Sequence, residues 1–400
     1  MRSSWKVIIL STTLSTAAAF APVTLAQQGE AATASTTTSP VALVYVASTP
    51  QNSSTNEILG FSAASNGKLT PIPGSPFAAN VTSMAVNGKY LFAPNKTTPY
   101  IESYLIESNG ALKYATQTDY IKADPADDCG TAGPVFLDHT GASLYFLEFD
   151  GTNCANNVYE SFSINKSTGG LNYLGYALGD AFPQLSYAAT FIGNDQYAYI
   201  AEDENDMYTE TFGYKRNSNG SLTKLTLKTP SPSSPPAGAT GFCPYLAIAD
   251  PTNHVAFVEK PCSPPGGTTL RPELAVYTAG TNGTLTTTSS GKNMPTTSLT
   301  YVNALRMAPS GKLLAVGGIG GLQIFHFNGA SPITKYTGLL TTSTIDKVYW
   351  DNSNHLYAIS GSAGKLYVFT ITPTSYSQAS GSPYSVSTPV GLIVQPPPWY

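Results

Sequence analysis

A short strand-like segment with a central aromatic residue recurs seven times along the chain. Apolar and polar positions alternate within it, which is typical of half-buried β-strands. Most copies are followed by a turn and a leucine, as in SNGKL, SNGAL and TNGTL. Such turns indicate hairpins, because asparagine and glycine tolerate the positive φ of tight turns. The central aromatics are Phe61, Tyr104, Phe162, Tyr214, Tyr277, Phe325 and Phe369.

A second hairpin precedes most of these segments, as in LDHTGASLYF, ADPTNHVAF and APSGKLLAV. Each copy therefore contains four short strands, A to D in chain order. Four strands repeated about every 40 to 50 residues predict an all-β, seven-bladed β-propeller with four antiparallel strands per blade. The first copy begins at 41–45 (VALVY) and lacks an A strand. We predict that 389–394 (PVGLIV) joins blade 1 as its A strand and closes the ring.

The N-terminal residues are typical of a targeting signal. A basic and then apolar stretch is followed by small residues that permit cleavage after Ala26. We expect a signal peptide at 1–26, a flexible linker at 27–40, the propeller at 41–394 and a C-terminal tail at 395–400. The apolar stretch is short and rich in Ser and Thr, which does not favour a membrane span. We therefore expect an exported protein, periplasmic or extracellular, with no transmembrane span in the mature chain.

The composition narrows the classes of partner. Charged residues make up 11% of the chain and the net charge is −4, with no basic patch. These features argue against nucleic-acid binding. A ring that closes on itself has no open sheet edge that demands a partner, so we expect a monomer.

Strand order fixes which loops share a face of the propeller. The A–B and C–D turns lie on one face, here called the lower face, and the B–C and D–A loops lie on the upper face. The four cysteines fall in long upper-face loops of blades 3 and 5. In an exported protein they predict disulfides between Cys129 and Cys154 and between Cys243 and Cys262. Free buried thiols are the alternative, and the absence of a CxxC spacing disfavours zinc.

Acidic residues collect on the same upper face. Residues 200–208 (IAEDENDMY) place four acids within five positions, and two more acids follow strand B of blade 3. Five aromatics are expected nearby: Phe149, Tyr187, Tyr208, Tyr245 and Tyr301. This face would suit a cation, a sugar or a basic peptide, and a solvated acidic rim is the alternative. We expect no cofactor, although a divalent cation such as Ca²⁺ would suit these carboxylates. The segment lacks the glycine and the final glutamate of an EF-hand loop.

Arg306 is the one arginine in a predicted A strand. It aligns with Ser83, Phe136 and Tyr349 of other blades, which places it near the central channel. There it would meet an anionic ligand, and a structural hydrogen-bonding role is the alternative. The candidate ligand-binding residues are Glu148, Asp150, Glu202, Asp203, Glu204, Asp206 and Arg306.

The four histidines do not provide an evident general base. His139, His254 and His355 fall in or beside A–B turns, where we expect them at the surface. His326 follows an aligned aromatic and is expected at the side of its blade. The catalytic residues therefore stay unassigned.

Several segments resemble the repeats of the lactonase-like propellers, the family of 6-phosphogluconolactonase and muconate cycloisomerase relatives, and the exported YVTN-repeat propellers. They are VYVAS at 44–48, GFSAASNGKLTPIPGSPF at 60–77, APSGKLLAV at 308–316 and GSPY at 381–384. The resemblance covers roughly 41–394 and implies the seven-bladed fold. It also implies lactone hydrolysis, for which this family's enzymes use His, Arg and Glu near the channel mouth. The segments that match the enzymes' third and fourth blades here are FLEFDGTNC and IAEDENDMY.

Together, these patterns predict a binding or interaction scaffold that takes a small molecule, a carbohydrate or a protein at its upper face. The alternative is a lactonase-like hydrolase that opens a sugar lactone, with a divalent cation activating water. A structural or adhesive role in the cell envelope is the third hypothesis.

Overall fold

The structure, a computed structural model, is built from β-strands. It describes residues 39–120, 132–148, 157–179, 187–204, 208–226, 229–262 and 270–395. Within these residues, thirty strands form seven antiparallel sheets, the blades of a propeller. The predicted all-β class and blade number are confirmed.

The first three blades contain strands β1 to β12. Blade 1 contains β1 (Ala42–Ser48), β2 (Glu57–Ala63), β3 (Leu69–Pro71) and β4 (Phe77–Ala78). Blade 2 contains β5 (Ala85–Val86), β6 (Tyr90–Pro94), β7 (Tyr100–Ile106) and β8 (Leu112–Asp119). Blade 3 contains β9 (Ala132–Leu137), β10 (Ser143–Glu148), β11 (Val158–Ile164) and β12 (Leu171–Leu178).

The remaining blades follow in chain order. Blade 4 contains β13 (Thr190–Phe191), β14 (Tyr197–Glu204), β15 (Tyr208–Arg216) and β16 (Leu222–Lys224). Blade 5 contains β17 (Gly241–Ala249), β18 (His254–Cys262), β19 (Glu273–Ala279) and β20 (Leu285–Thr286). Blade 6 contains β21 (Tyr301–Met307), β22 (Leu313–Ile319), β23 (Gly321–Asn328) and β24 (Ser331–Lys335). Blade 7 contains β25 (Lys347–Trp350), β26 (His355–Ser360), β27 (Lys365–Ile371), β28 (Tyr376–Gln378) and β29 (Tyr384–Ser385).

The last strand, β30 (Pro389–Gln395), closes the ring. It pairs antiparallel with β1, with Tyr45 opposite Ile393 and Val44 opposite Val394. It thereby becomes the innermost strand of blade 1, in the order β3-β2-β1-β30. The prediction that the C-terminal strand completes blade 1 is confirmed, and the inner edge of β1 is paired.

The core lies between the blades. Each pair of neighbouring blades encloses one apolar layer, including the pair formed by blades 7 and 1. Second strands are therefore covered on both faces, and all six residues of β10 are buried. This burial explains why second strands have continuous apolar runs rather than strict alternation, as at 313–316 (LLAV).

Hydrogen bonds also join neighbouring blades. Three second-strand tyrosines donate to glycine carbonyls in the C–D turn of the next blade: Tyr45 to Gly110 (2.7 Å), Tyr145 to Gly220 (2.7 Å) and Tyr199 to Gly283 (2.8 Å). All three glycines have positive φ, the conformation predicted for these turns. The turn that ends one blade is thus also a contact for the blade before it.

Candidate functional site

The innermost strands of the seven blades surround the central channel. Their pairing with the second strands defines one layer around the ring, in which Phe136 lies opposite Tyr145 and Tyr349 lies opposite Tyr357. The layer consists of Ile393, Ala85, Phe136, Thr190, Ile248, Arg306 and Tyr349. Arg306 is its one charged member. The register corrects the alignment of Arg306 with Ser83, since Ala85 occupies that level of blade 2.

Arg306 is held by the innermost strand of the next blade. Its Nη2 atom donates a hydrogen bond of 2.6 Å to the hydroxyl of Tyr349. Its guanidinium carbon lies 4.1 Å from the centroid of the Tyr349 ring, within cation–π range. The indole nitrogen of Trp350 donates to the carbonyl of Arg306 at 3.3 Å. These contacts join blades 6 and 7, and no carboxylate of the described residues pairs with the guanidinium.

Lys347 is a second cation on the same side of the channel, and sequence reasoning did not single it out. It lies two residues before Tyr349 on β25, so the two side chains share one side of the strand. The lysine is solvent-exposed, yet protein atoms surround its amine closely enough to remove part of its hydration. Partial desolvation by these atoms lowers the pKa of Lys347, the charge of Arg306 lowers it further, and the charge of Asp346 opposes both.

Asp346 does not neutralise this pair of cations by direct contact. Its carboxylate accepts a hydrogen bond of 2.6 Å from the backbone N–H of Gly361. Among the described residues, the ammonium of Lys347 has neither a hydrogen-bond acceptor nor a carboxylate at ion-pair distance. Two neighbouring cations with no carboxylate in direct contact favour the binding of an anion.

An aromatic cluster lies at the upper ends of the innermost strands of blades 5 and 6. The rings of Tyr245 and Tyr301 stack with centroids 5.1 Å apart, and the hydroxyls of Tyr187 and Tyr301 are 3.4 Å apart. Three of the five aromatics expected at this face thus come together. The other two, Phe149 and Tyr208, cannot be placed, because 149 lies outside the described residues and only the backbone of 208 is described.

The predicted acidic site is described only in part. Glu148 is the last residue of β10 and is buried, with an exposed fraction of 1%. Its side chain faces blade 2, on the same face of the sheet as buried Glu160. Asp150 and Asp206 lie outside the described residues. For Glu202, Asp203 and Glu204, at the end of β14, the structure describes the backbone alone.

Blade 5 contains the disulfide between Cys243 and Cys262, with Cα atoms 5.5 Å apart. The sequence placed these cysteines in loops. They lie instead in β17 and β18, whose pairing extends to Gly241 opposite Cys262. The bridge therefore joins adjacent strands at the upper end of one hairpin. The predicted bridge between Cys129 and Cys154 lies outside the described residues.

One histidine differs from its expected surface position. His355 is the first residue of β26 and is completely buried, with its Nδ1 atom 2.7 Å from Asp351. His254 forms the same contact with Asp250 at 3.0 Å and is partly exposed. Both histidines lie next to lower-face turns, away from the upper channel mouth.

Metal and membrane signals are absent from the described part of the chain. No three His, Cys, Asp or Glu side chains described by the structure come together as a metal site would require. Within the same residues, no helix has the length and hydrophobicity needed to cross a membrane.

No protein-family model matches this sequence, and no curated protein matches it. Solved structures do match its fold. A protein from Bacteroides fragilis described as a 6-phosphogluconolactonase superposes with a TM-score of 0.63 at 14% identity, over 90% of this chain and 99% of that one. A protein from Bacteroides uniformis with the same description gives 0.64 at 12% identity, over 88% and 99%.

A periplasmic gluconolactonase of Pseudomonas aeruginosa is similar as well. Its TM-score is 0.60 at 14% identity, and the match covers 88% of this chain and 98% of that one. The predicted resemblance to lactonase-like seven-bladed propellers is confirmed at the level of the fold. At this identity the match does not transfer residue roles.

Proposed function

We propose that this chain is an exported propeller that binds a small anionic molecule in its central channel. The carboxylate or phosphate group of the ligand contacts Arg306 and Lys347. The proposal rests on this pair of cations, which has no described carboxylate at ion-pair distance, in a chain with only 20 Lys and Arg residues. The proposal of export rests on the signal peptide predicted at 1–26.

The two cations have different parts in this binding. Tyr349 fixes Arg306 by a hydrogen bond and by its ring, so the guanidinium is oriented before the ligand arrives. Lys347 is without a described partner and is free to move toward the anion. Tyr187 and Tyr301 near the upper channel mouth are partly exposed and provide apolar and hydroxyl surface for the rest of a sugar-acid ligand, while buried Tyr245 supports the Tyr301 ring from behind.

Calorimetric titration with gluconate and 6-phosphogluconate, and with glucose as the neutral control, tests the proposal. The acids should bind and glucose should not. Lys347→Met should weaken acid binding by about tenfold or more, as expected when a charged hydrogen bond is lost. Lys68→Met, at an exposed turn of blade 1, should bind as the wild type does. Equal affinities for Lys347→Met and wild type would contradict the proposal.

Proton uptake gives a second readout. The pKa of Lys347 lies below its ordinary value, so the amine loses its proton at a lower pH than an ordinary lysine does. A bound anion favours the charged form, so binding should take up protons. Titrations in buffers of different ionisation enthalpy measure this uptake, which should disappear in Lys347→Met.

Lactone hydrolysis is the second candidate function, favoured by the similarity to a gluconolactonase and by the lowered pKa of Lys347. In this mechanism, the neutral amine of Lys347 accepts a proton from the attacking water, and Arg306 stabilises the oxyanion that forms at the lactone carbonyl. The ring C–O bond then breaks, and the leaving alkoxide takes the proton back from Lys347. Turnover of gluconolactone above the buffer rate, lost in Lys347→Met, would support hydrolysis. Acid binding without turnover would leave the binding function alone.

A further inference from the structure

Two glutamates face each other across strands β18 and β19 of blade 5. Glu259 and Glu273 are directly opposite in the antiparallel register, where Cβ atoms are about 5 Å apart. The next pairs on the same face of the sheet are Phe257 with Ala275 and Val255 with Tyr277. This face packs against blade 4, so the two carboxyl groups lie at the seam between blades 4 and 5.

Both carboxyl groups are withdrawn from water and only partly satisfied. Glu259 has an exposed fraction of 0% and Glu273 of 8%. Oε1 of Glu259 accepts a hydrogen bond of 2.8 Å from the hydroxyl of Tyr277. The Oε2 atom of each glutamate is buried without a hydrogen-bond partner among the described residues. Neither carboxylate has a Lys, Arg or His side chain at ion-pair distance in the described part of the chain.

Among the described side chains, none around the pair supplies a positive charge. Thr296 provides a hydroxyl for Glu273, and Tyr277 remains a neutral donor because burial raises its pKa. Lys260 follows Glu259 on β18, so its side chain lies on the opposite face of the sheet. From blade 4, the described core side chains that pack here are Ile192, Tyr197, Tyr199 and Ala201.

The two facing carboxyl groups are suited to binding one proton between them. Two carboxylates this close in apolar surroundings cannot both ionise without a large cost in free energy. Burial raises the pKa of Glu259 to about 7, the Tyr277 hydrogen bond opposes the shift, and the charge of Glu273 adds to it. Burial also raises the pKa of Glu273.

We propose that Glu259 and Glu273 share a proton and form a pH-sensitive lock on the seam between blades 4 and 5. While the proton is present, one carboxyl group donates to the other and the seam is closed. When the proton leaves, two buried carboxylates repel each other and the upper end of blade 5 loosens.

The direction of the pH effect follows from linkage. The folded chain holds this proton more tightly than the unfolded chain does, in which a glutamate has a pKa of about 4.3. The stabilising contribution is therefore complete below the unfolded pKa and is lost as the pH rises through about 7. This pair should therefore contribute most to the free energy of unfolding at acidic pH.

Thermal unfolding of the full chain from about pH 4 to about pH 9 tests the lock. The melting temperature of the wild type should fall by about 3–5 °C between mildly acidic and mildly alkaline pH. Glu259→Gln and Glu273→Gln should remove most of this dependence. Glu107→Gln, at an exposed turn of blade 2, should retain it. The same pH profile in wild type and Glu259→Gln would overturn the proposal.

Two measurements on the wild type keep the proposal falsifiable if a variant does not fold. Infrared spectra should show the C=O stretch of a protonated buried carboxyl group at mildly acidic pH, and the band should fade as the pH passes about 7. Absence of the band would overturn the proposal. Stabilisation by Ca²⁺ at alkaline pH, reversed by EDTA, would also overturn it, because a cation would then occupy the pair.

Discussion

At the scale of single residues, Asp351 is a buried carboxylate whose two oxygens are both fully engaged. It is completely buried in the A–B turn of blade 7. One carboxylate oxygen accepts from the backbone N–H groups of Ser353 (2.8 Å) and His355 (2.9 Å). The other contacts Nδ1 of His355 at 2.7 Å and the hydroxyl of Tyr357 at 2.9 Å. Since a carboxylate only accepts, Nδ1 carries the proton of the imidazole.

Asp351→Asn should therefore destabilise the protein strongly. The amide replaces one acceptor oxygen by a donor, so at least one buried N–H or O–H loses its partner, at a cost of about 2–3 kcal/mol. Asp250→Asn is the matched control, because Asp250 accepts from the backbone N–H groups of Thr252 and His254 and contacts Nδ1 of His254 in a turn where the histidine is partly exposed. It should cost about 1 kcal/mol, since water can replace the lost contact. Urea unfolding measures the loss in free energy of unfolding for each variant. Equal losses would show that the burial of the blade 7 turn does not matter for stability.

His355 shows what the sequence could not supply at this scale. The segment DNSNH predicts a turn, and a turn predicts exposure. In the ring, however, the C–D turn of blade 1 covers this histidine: a Cβ on Gly67 would lie 3.2 Å from its Cδ2 atom. Lys347 was missed for a similar reason. The neighbouring cation, Arg306, comes from another blade. The proximity of two residues in different blades cannot be seen in either sequence segment alone.

At the scale of strands and turns, two constraints require glycine in the C–D turn of blade 5: a positive φ and close packing against the preceding blade. Gly283 has a φ of 82°, and a Cβ there would lie 2.7 Å from Leu225 and 2.8 Å from the Tyr197 ring of the preceding blade. Gly238 has a similar φ of 87° with no atom near an added Cβ. A substitution at Gly238 therefore tests the backbone conformation alone, whereas one at Gly283 tests the conformation and the packing together.

Gly283→Ala should lower the free energy of unfolding more than Gly238→Ala does. Both variants incur about 1–2 kcal/mol for a left-handed alanine. Gly283→Ala also has to displace the neighbouring blade, which adds about 1–3 kcal/mol. Urea unfolding of the two variants gives the difference directly. If the losses are the same, the turn does not act as a contact between blades.

The strands themselves were largely predictable from such turns. All seven aligned aromatics lie in the third strand of their blades, because the turn and leucine that follow fix the register of the outer hairpin. The short strands β4 and β29 were not predicted. Each adds to the third strand of its blade after the fourth strand has ended, beyond the four-strand pattern. The segments GSPF and GSPY that lead into them were visible in the sequence, but their pairing partner was not.

At the scale of the whole molecule, closure joins the two ends of the propeller. Leu392 and Val394 of β30 pack in the layer between blades 7 and 1, and Ile393 packs between blades 1 and 2. The missing A strand of blade 1 made this closure predictable from the sequence. The channel chemistry was less predictable, because it depends on which innermost side chains meet across blades.

Removal of β30 should therefore abolish the folded monomer. A chain that ends at Ser387 exposes the inner edge of β1 and the apolar side chains of two layers, and each fully buried aliphatic residue contributes about 1.5–3 kcal/mol. We expect aggregation, or a dimer in which chains pair through β1, by size-exclusion chromatography and light scattering. A chain that ends at Gln395 retains β30 and is the matched control. A synthetic peptide of residues 388–395 added in trans should restore the monomer, whereas a scrambled peptide should not. A chain ending at Ser387 that remains monomeric, with an unchanged melting temperature, would show that the other strands close the ring without β30.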